Sequence, residues 1–323
     1  MTSLRKNSLV SVCIVPRERF SLAEQSLENI IRATDPSVPI IYVDANAPEA
    51  IASGLSEQCA RRGANYIRLG EYLAPNVARS IALEKVSTKY LVFLDNDLFV
   101  EPGWLDALIE CAEQTGAWAV SPLVMEGSAT LPLVHMAGGD LQTREQNGVL
   151  QLGESHRQLH RLPLLARPLL KREPCGFFEY HAVLLRRSIF DEACTIDPEL
   201  TSVHEHIDLA LQIQAAGGTI YFEPGSSVRY DSATPFSDQD RAFFELRWSE
   251  TWTRQTLDHF RRKWGLASND EGLSWVENWV ARHRGLYGQS SRPWPARAAW
   301  LTLRREGGAI LEKLGLRRRP GAL

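Results

Sequence analysis

Cysteine is scarce in this chain of 323 residues. There are five (Cys13, Cys59, Cys111, Cys175 and Cys194), an odd number, widely spaced and without a C-x-x-C pair. That pattern argues against a disulfide framework and a structural zinc site, and for a reducing compartment. No apolar run reaches the roughly 18 residues a membrane-spanning helix needs. The N-terminus also lacks the apolar stretch of a secretory leader. Neither G-x-G-x-x-G nor a P-loop occurs, which removes dinucleotide oxidoreductases and P-loop kinases. Internal repeats and low-complexity tracts are likewise missing.

The chain is long enough for one large α/β domain with an appendage, and its 44% hydrophobic content suits a core that needs no staple. A net charge of −3 says little about partners, but its distribution is uneven. Residues 292–323 carry eight Lys/Arg against two Glu, a net of +6, so the remainder is near −9. This basic end is interleaved with Trp294, Trp300, Leu301, Leu303, Ile310, Leu311, Leu314 and Leu316. Such a pattern suits peripheral contact with an anionic membrane surface, and equally a helix packed on its own domain. It contains no nucleic-acid motif, so no nucleic-acid partner is expected. The expected location is cytoplasmic, with the inner face of the membrane as the variant the basic end suggests.

Through its first two thirds the chain alternates short apolar runs with helical patterns, as a mostly parallel sheet with crossover helices does. Strands are expected at Ser8–Val15, Pro39–Val43, Asn65–Leu69, Tyr90–Leu94 and Trp118–Pro122, and helices at Leu22–Arg32, Ile51–Arg62, Val77–Val86 and 103–115. Residues 123–172 look less regular. Strand and helix character returns over Gly176–Arg187, and a helix is expected over Thr201–Ala216. Two separate strands, Thr219–Phe222 and Ser227–Tyr230, follow. From about 236 the pattern is helical, with Phe244, Trp248, Trp252 and Phe260 at near-helical spacing.

The informative cluster is Asp95-Asn96-Asp97, which closes the apolar run Tyr90–Leu94. Open α/β sheets bind ligands at the carboxyl ends of such strands. Two carboxylates one residue apart offer hard oxygen ligands, suited to Mn²⁺ or Mg²⁺ holding a diphosphate.

With these pieces in order, residues 8–235 resemble a family-2 glycosyltransferase of the GT-A fold. The opening strand with Pro16 is similar to the family's "V-S-V-I-I-P" start, and Asp44 to the aspartate after the second strand. Asn76-Val77-Ala78-Arg79 is similar to the segment before the metal strand, and Leu94-Asp95-Asn96-Asp97 to the D-x-D motif. Glu205-His206-Ile207-Asp208-Leu209 sits where the family has "E-D-x-D-L". The resemblance implies a nucleotide-binding and catalytic domain over 1–235 and a helical, Trp-rich and basic extension over 236–323. It implies transfer of a sugar from a UDP-, GDP- or dTDP-sugar to a saccharide, lipid-linked or small-molecule acceptor. It also implies a divalent cation and, by family analogy only, inversion.

Carried over residue by residue, the resemblance makes Asp97 a direct metal ligand and Asp95 a contact to the ribose or to the metal through water. Asp44 would contact the nucleotide base, although capping the next helix is an alternative use. Pro16, Arg17, Arg79 and Asn96 fall on the donor side, with Arg17 reaching the diphosphate and Arg79 holding phosphate or the acidic pair. Glu179 and His181 fall where the family lines its sugar pocket. His135 and Asp231 are weaker candidates, Asp231 as a third metal ligand.

Glu205, His206 and Asp208 are the candidates for the catalytic base. The family's usual base position is filled here by His206, and a neutral imidazole can accept a proton near pH 7. Ser202-x-x-Glu205 also reads as a capping box, which would occupy Glu205 with backbone. Two other readings stand beside this one. A GT-A domain without turnover would be a binding module. His204-x-His206-x-Asp208 partly matches a zinc-hydrolase motif whose last histidine is replaced by Leu209.

Overall fold

The chain opens with β–α repeats. β1 (Val10–Val15) leads to α1 (Ala23–Ala33), β2 (Ile40–Ala45) to α2 (Glu49–Arg62), β3 (Asn65–Leu69) to α3 (Pro75–Leu83), and β4 (Tyr90–Asp95) follows. The structure is a computed structural model that describes residues 9–146, 149–287 and 293–313. β1 and β4 are buried along their whole length. Buried on both faces, such parallel strands read as continuous apolar runs instead of alternating ones.

Next come β5 (Leu98–Val100), α4 (Trp104–Thr115), β6 (Ala119–Gly127), β7 (Pro132–Met136), β8 (Gly139–Gln146) and β9 (Val149–His156). Then follow α5 (Pro163–Ala166), β10 (Glu173–Pro174), β11 (Ala182–Arg186), α6 (Ile189–Glu192), α7 (Glu205–Ala215) and β12 (Ile220–Tyr230). The main sheet runs β10-β12-β6-β11-β4-β1-β2-β3. Along that path β3, β2, β1, β4, β6 and β12 point one way, and only β10 and β11 oppose them. β1 pairs with β2 on one side and β4 on the other, with Val15 opposite Asp95. The strand order therefore reverses between β1 and β4, which opens a crevice at their carboxyl ends.

Several expected boundaries shift, each for a local reason. The stretch 123–172 is more regular than its sequence suggests: β6 runs on to Gly127, β7 pairs with it, and β8 and β9 form a separate hairpin. The two late strands are one, β12, broken by a register shift between Glu223 and Ser227. Pro224 and Gly225 lie within that shift and mimic an interruption in the sequence. The helix expected from Thr201 starts only at Glu205, because His204 takes a left-handed conformation (φ 60°). Ser202 is no cap; its hydroxyl donates to the Arg247 carbonyl.

The last third is helical: α8 (Asp238–Arg247), α9 (Glu250–Trp264), α10 (Glu271–Arg284) and α11 (Trp294–Lys313). Phe244, Trp248 and Phe260 are buried in the same apolar cluster as β1 and β4, and Trp252 is half-buried. Asp240 completes a capping box with Ser237 and also accepts from the backbone and hydroxyl of Ser21, tying α8 to the loop after β1. Asp270 caps α10 and accepts from the Leu152 amide, so α10 braces the β8–β9 hairpin.

α11 packs one face on β7 through Trp294, Ala298 and Leu301 against Leu133, and leaves Trp300 and Leu303 exposed. Of the basic, apolar-interleaved end, Leu314 and Leu316 lie outside the described residues. Among the described residues no helix is long and apolar enough to cross a membrane.

Gly127 is where α11 meets the sheet. Its φ is +101°, and a Cβ there would overlap the Trp294 ring. Gly127→Ala adds backbone strain of about 1 kcal/mol and overpacking of about 1–3 kcal/mol. We expect the urea midpoint to fall and limited proteolysis to cut α11 free first.

Candidate functional site

At the carboxyl ends of β1 and β4 lies a cavity of about 640 Å³, within the usual range for small-molecule sites. Sheet-side residues Arg17, Asp95, Glu179 and His181 form one wall. Glu205 and His206, where α7 begins, form another. The C-terminal helices contribute Arg247, Trp248, Trp279 and His283. The extension is thus part of the site.

Asp95 is fully buried at the end of β4. Its Oδ2 accepts from Arg17 Nη1 (3.0 Å) and lies 3.1 Å from His181 Nδ1, while Arg79 Nη2 stands 3.8 Å from Oδ1. Burial alone would raise its pKa, but Arg17, His181 and Arg79 together hold it below the ordinary carboxylate range. Burial would also lower Arg17, and Asp95, Glu18, Glu179 and Asp97 together outweigh that, raising the guanidinium pKa.

Asp97 is the opposite case. It is 4% exposed, and burial plus the neighbouring Asp95 charge push its pKa up to about 8. Asp95 Oδ1 and Asp97 Oδ1 are both buried without a hydrogen-bond partner. Buried polar atoms are ordinarily paired, so these two oxygens are available to a ligand of positive charge. Asn96 between them holds the loop: its Oδ1 accepts from the Arg17 amide, and its Nδ2 donates to the Arg19 carbonyl.

Beside this pair stands a histidine-rich cluster. Glu179 Oε1 lies 3.2 Å from His135 Nε2 and 3.3 Å from His156 Nε2, and its Oε2 lies 3.3 Å from His181 Nε2. Burial opposes the Glu179 charge, but His135, His181 and His156 more than compensate, and its pKa falls well below normal. Tyr230 stacks on His181 at 4.4 Å and donates to Glu126 Oε2. His135, Glu179 and His181 bring ligand atoms within 4.8 Å of one another, so this cluster can hold a metal.

Where α7 begins, Glu205 is buried and accepts from Arg247 Nη2 (2.9 Å), with Arg79 Nη1 at 4.0 Å. Arg79 also stacks over Tyr180, 3.6 Å from the ring centroid. His206 faces the cavity, but burial lowers its pKa to about 3, so it is neutral and a poor proton acceptor near pH 7. The ordinary imidazole range expected for it does not survive this burial.

Of the residues singled out in the sequence, Arg17, Arg79, Asp95, His135, Glu179, His181, His204, Glu205 and His206 line the cavity, whereas Asn96 and Asp97 do not. Asp208 does not reach it. Its Oδ1 accepts from the Trp264 indole and its Oδ2 from Gln212, and Lys263 contacts it too, clamping α7 to α9. Asp44 is buried away from the cavity lining, with Ala47 N–H and Tyr66 O–H on its two oxygens. Pro16 is buried in the turn after β1. Asp231 accepts from the amides of Ala233 and Thr234 and pairs with Arg229, so Tyr230 is the residue that faces inward there.

Sequence reasoning missed Glu126, Glu154, His156 and His160, all of which line the cavity. A signal was present. Six of the eight histidines fall between 135 and 206, and Glu154 and His156 are two apart on one strand, hence on one face. Glu154 Oε2 is buried without a partner, and burial with the Glu179 charge raises its pKa to about 7.

Two predictions follow from these charges. Arg247→Ala strands the buried Glu205 carboxylate and should cost about 3–5 kcal/mol in urea unfolding. For Glu154 the folded-state pKa lies above the unfolded one, so its stabilisation is complete below the unfolded value and is lost as pH rises to about 7. Relative to Glu154→Gln, the wild type should lose on the order of 3 kcal/mol between pH 4.5 and pH 7.5, read from paired urea curves.

Comparison with known proteins accords with this architecture. Residues 11–193 match the sequence profile described as "Glycosyl transferase family 2". A search of curated proteins found no match. Among solved structures, GalNAc-T7 with UDP, GalNAc and Mn²⁺ superposes with a TM-score of 0.52 at 17% identity, covering 95% of this chain and 58% of that one. S. aureus TarS gives 0.47 at 12% identity, covering 81% and 44%. The chain therefore spans less than two thirds of either, and the first likeness carries the GT-A fold alone. With more than half of its length matched by that profile, the chain belongs to glycosyl transferase family 2.

Proposed function

We propose that the protein transfers a sugar from a nucleotide-diphosphate sugar to an acceptor hydroxyl, with Mn²⁺ or Mg²⁺ held by Asp95 and Asp97. The observation that carries this reading is the pair of buried oxygens without a hydrogen bond, Asp95 Oδ1 and Asp97 Oδ1, at the end of β4 and in the turn after it, where Asp95 lines the cavity. Their all-oxygen chemistry fits a hard divalent cation. Such an ion, when bound, supplies Lewis-acid stabilisation of the charge on the departing diphosphate. That the GalNAc-T7 structure contains UDP and Mn²⁺ supports the same reading.

The chain's own residues then divide the work. Arg17 sits beside Asp95 with one face toward the cavity and is suited to the diphosphate. Glu179 and His181 form the wall on which the donor sugar would rest. Trp275 and Trp279 supply aromatic faces toward the C-terminal side, a surface suited to a saccharide acceptor. Arg247 and Arg79 fix the position of Glu205 at the start of α7, which leaves it suited to orienting substrate hydroxyls.

Proton removal needs a group matched to neutral pH. His206 is too weakly basic and Asp208 is turned away, so Glu154 is the best matched carboxylate in the cavity. In an inverting displacement the acceptor oxygen would bond to the anomeric carbon as its proton passes to Glu154. The diphosphate would leave with the bonding pair.

Turnover of UDP-, GDP- and dTDP-sugars with and without Mn²⁺ or Mg²⁺ tests the reading. Asp97→Ala should lower metal-dependent hydrolysis or transfer by about two to three orders of magnitude with an unchanged circular dichroism spectrum. Glu154→Gln should lower kcat with little change in the donor KM. Wild-type protein that turns over none of these donors, or Asp97→Ala at full activity, would refute it.

A further inference from the structure

We propose that His135, Glu179 and His181 form a second cation site, separate from the Asp95–Asp97 pair and built for a nitrogen-accepting dication of the Zn²⁺ class. This goes beyond the glycosyl-transfer reading and does not depend on it.

The first argument is convergence. His135 comes from β7, Glu179 from the loop before β11 and His181 from the residue preceding that strand, yet their ligand atoms lie within 4.8 Å of one another. Glu179 stands 3.2 Å from His135 Nε2 and 3.3 Å from His181 Nε2. Those contacts use different Glu179 oxygens, Oε1 and Oε2, and bonds of about 2.0–2.1 Å at tetrahedral angles place ligand atoms about 3.3–3.5 Å apart, so a bound ion would draw the cluster together from within 4.8 Å.

Each ring also has a partner on its far side. The Tyr230 hydroxyl gives its proton to Glu126 at 3.0 Å, so its oxygen is free to accept from His135 Nδ1 at 3.3 Å. Asp95 Oδ2 lies 3.1 Å from His181 Nδ1, a partner for that nitrogen when it carries the proton. Protons on the two Nδ1 atoms would leave both Nε2 lone pairs toward the Glu179 side, where an ion would take them. An imidazole whose rear N–H is held by a carboxylate or hydroxyl is also how metal-ligating histidines are oriented.

Three protein ligands with a face open to the cavity leave room for water or substrate at a fourth position. Two imidazoles and one carboxylate select a borderline metal such as Zn²⁺ over Mg²⁺. His156 Nε2 lies 3.3 Å from Glu179 Oε1 and steadies the carboxylate. The charge that opposes an ion here is Arg17, whose Nη1 is 2.7 and 2.8 Å from the His181 ring nitrogens. Arg17 therefore competes with the metal, and its removal should tighten binding.

The test is titration of chelator-treated, full-length protein with Zn²⁺ alone, by calorimetry and without nucleotide. One ion should bind per chain, and Mg²⁺ should not displace it. His135→Gln and His181→Gln should each weaken binding by at least about 100-fold, beyond the 10–100-fold typical of losing an outer partner. Asp97→Asn should retain it, and Arg17→Gln should strengthen it. Co²⁺ added to the wild type should give the intense visible bands of a low-coordinate nitrogen-ligated ion, a readout that needs no variant.

No Zn²⁺ binding by the wild type, only weak octahedral Co²⁺ bands, or binding that survives both histidine substitutions would overturn the proposal. So would binding that disappears in Asp97→Asn. Because no nucleotide is present, these results leave the donor-turnover reading to its own experiment.

Discussion

A buried carboxylate at the end of β4 sets the terms for everything around it. Asp95 cannot sit unpaired in the interior, because an isolated buried charge costs several kcal/mol. The surrounding structure answers it from three elements: Arg17 after β1, Arg79 on α3, and His181 before β11. Each partner is in turn satisfied elsewhere. Arg79 reaches Asn76 and Glu205, Glu205 reaches Arg247, and His181 reaches Glu179. The chain of charges runs across the cavity, so the geometry at one wall is coupled to the geometry at the other.

That coupling explains why the C-terminal helices belong to the site. Arg247 on α8 carries the positive charge that keeps Glu205 tolerable, and Trp248 donates its indole N–H to Glu18 in the loop after β1. His283 on α10 lies 3.2 Å from the same Glu18 oxygen, which helps hold that carboxyl well below its usual range against the effect of burial. The β8–β9 hairpin, braced by α10, brings in Glu154 and His156. A boundary near residue 235 separates two sequence patterns, while the apolar core and the charge network both cross it.

Much of the sheet was legible because buried parallel strands leave an unmistakable local record. VSVCIV, IIYVDA and YLVFLD read as strands with no knowledge of their neighbours. The hairpin region was not legible. Its strands alternate polar and apolar residues, and Glu154 and His156 look like a solvated edge until α10 packs on the hairpin. For the site, the acids after β4 were visible because a strand end followed by D-x-D is a contiguous signal. Asp208 was misleading for the same reason: helical spacing places it near Glu205, but whether its carboxylate meets the cavity or Trp264 depends on where α9 packs.

The amino-acid sequence by itself determined the rhythm of strands and helices, the place of Asp95 at the end of a buried strand, and the family to which the chain belongs. Those features follow from periodicity and from residues close together along the chain. Only the tertiary structure decided which acids keep their charge, which histidines gather around Glu179, and which carboxylate retains a proton near neutrality. Ionisation depends on burial and on charges a few ångströms away, and here those neighbours come from segments tens to hundreds of residues apart, beyond the reach of any local pattern.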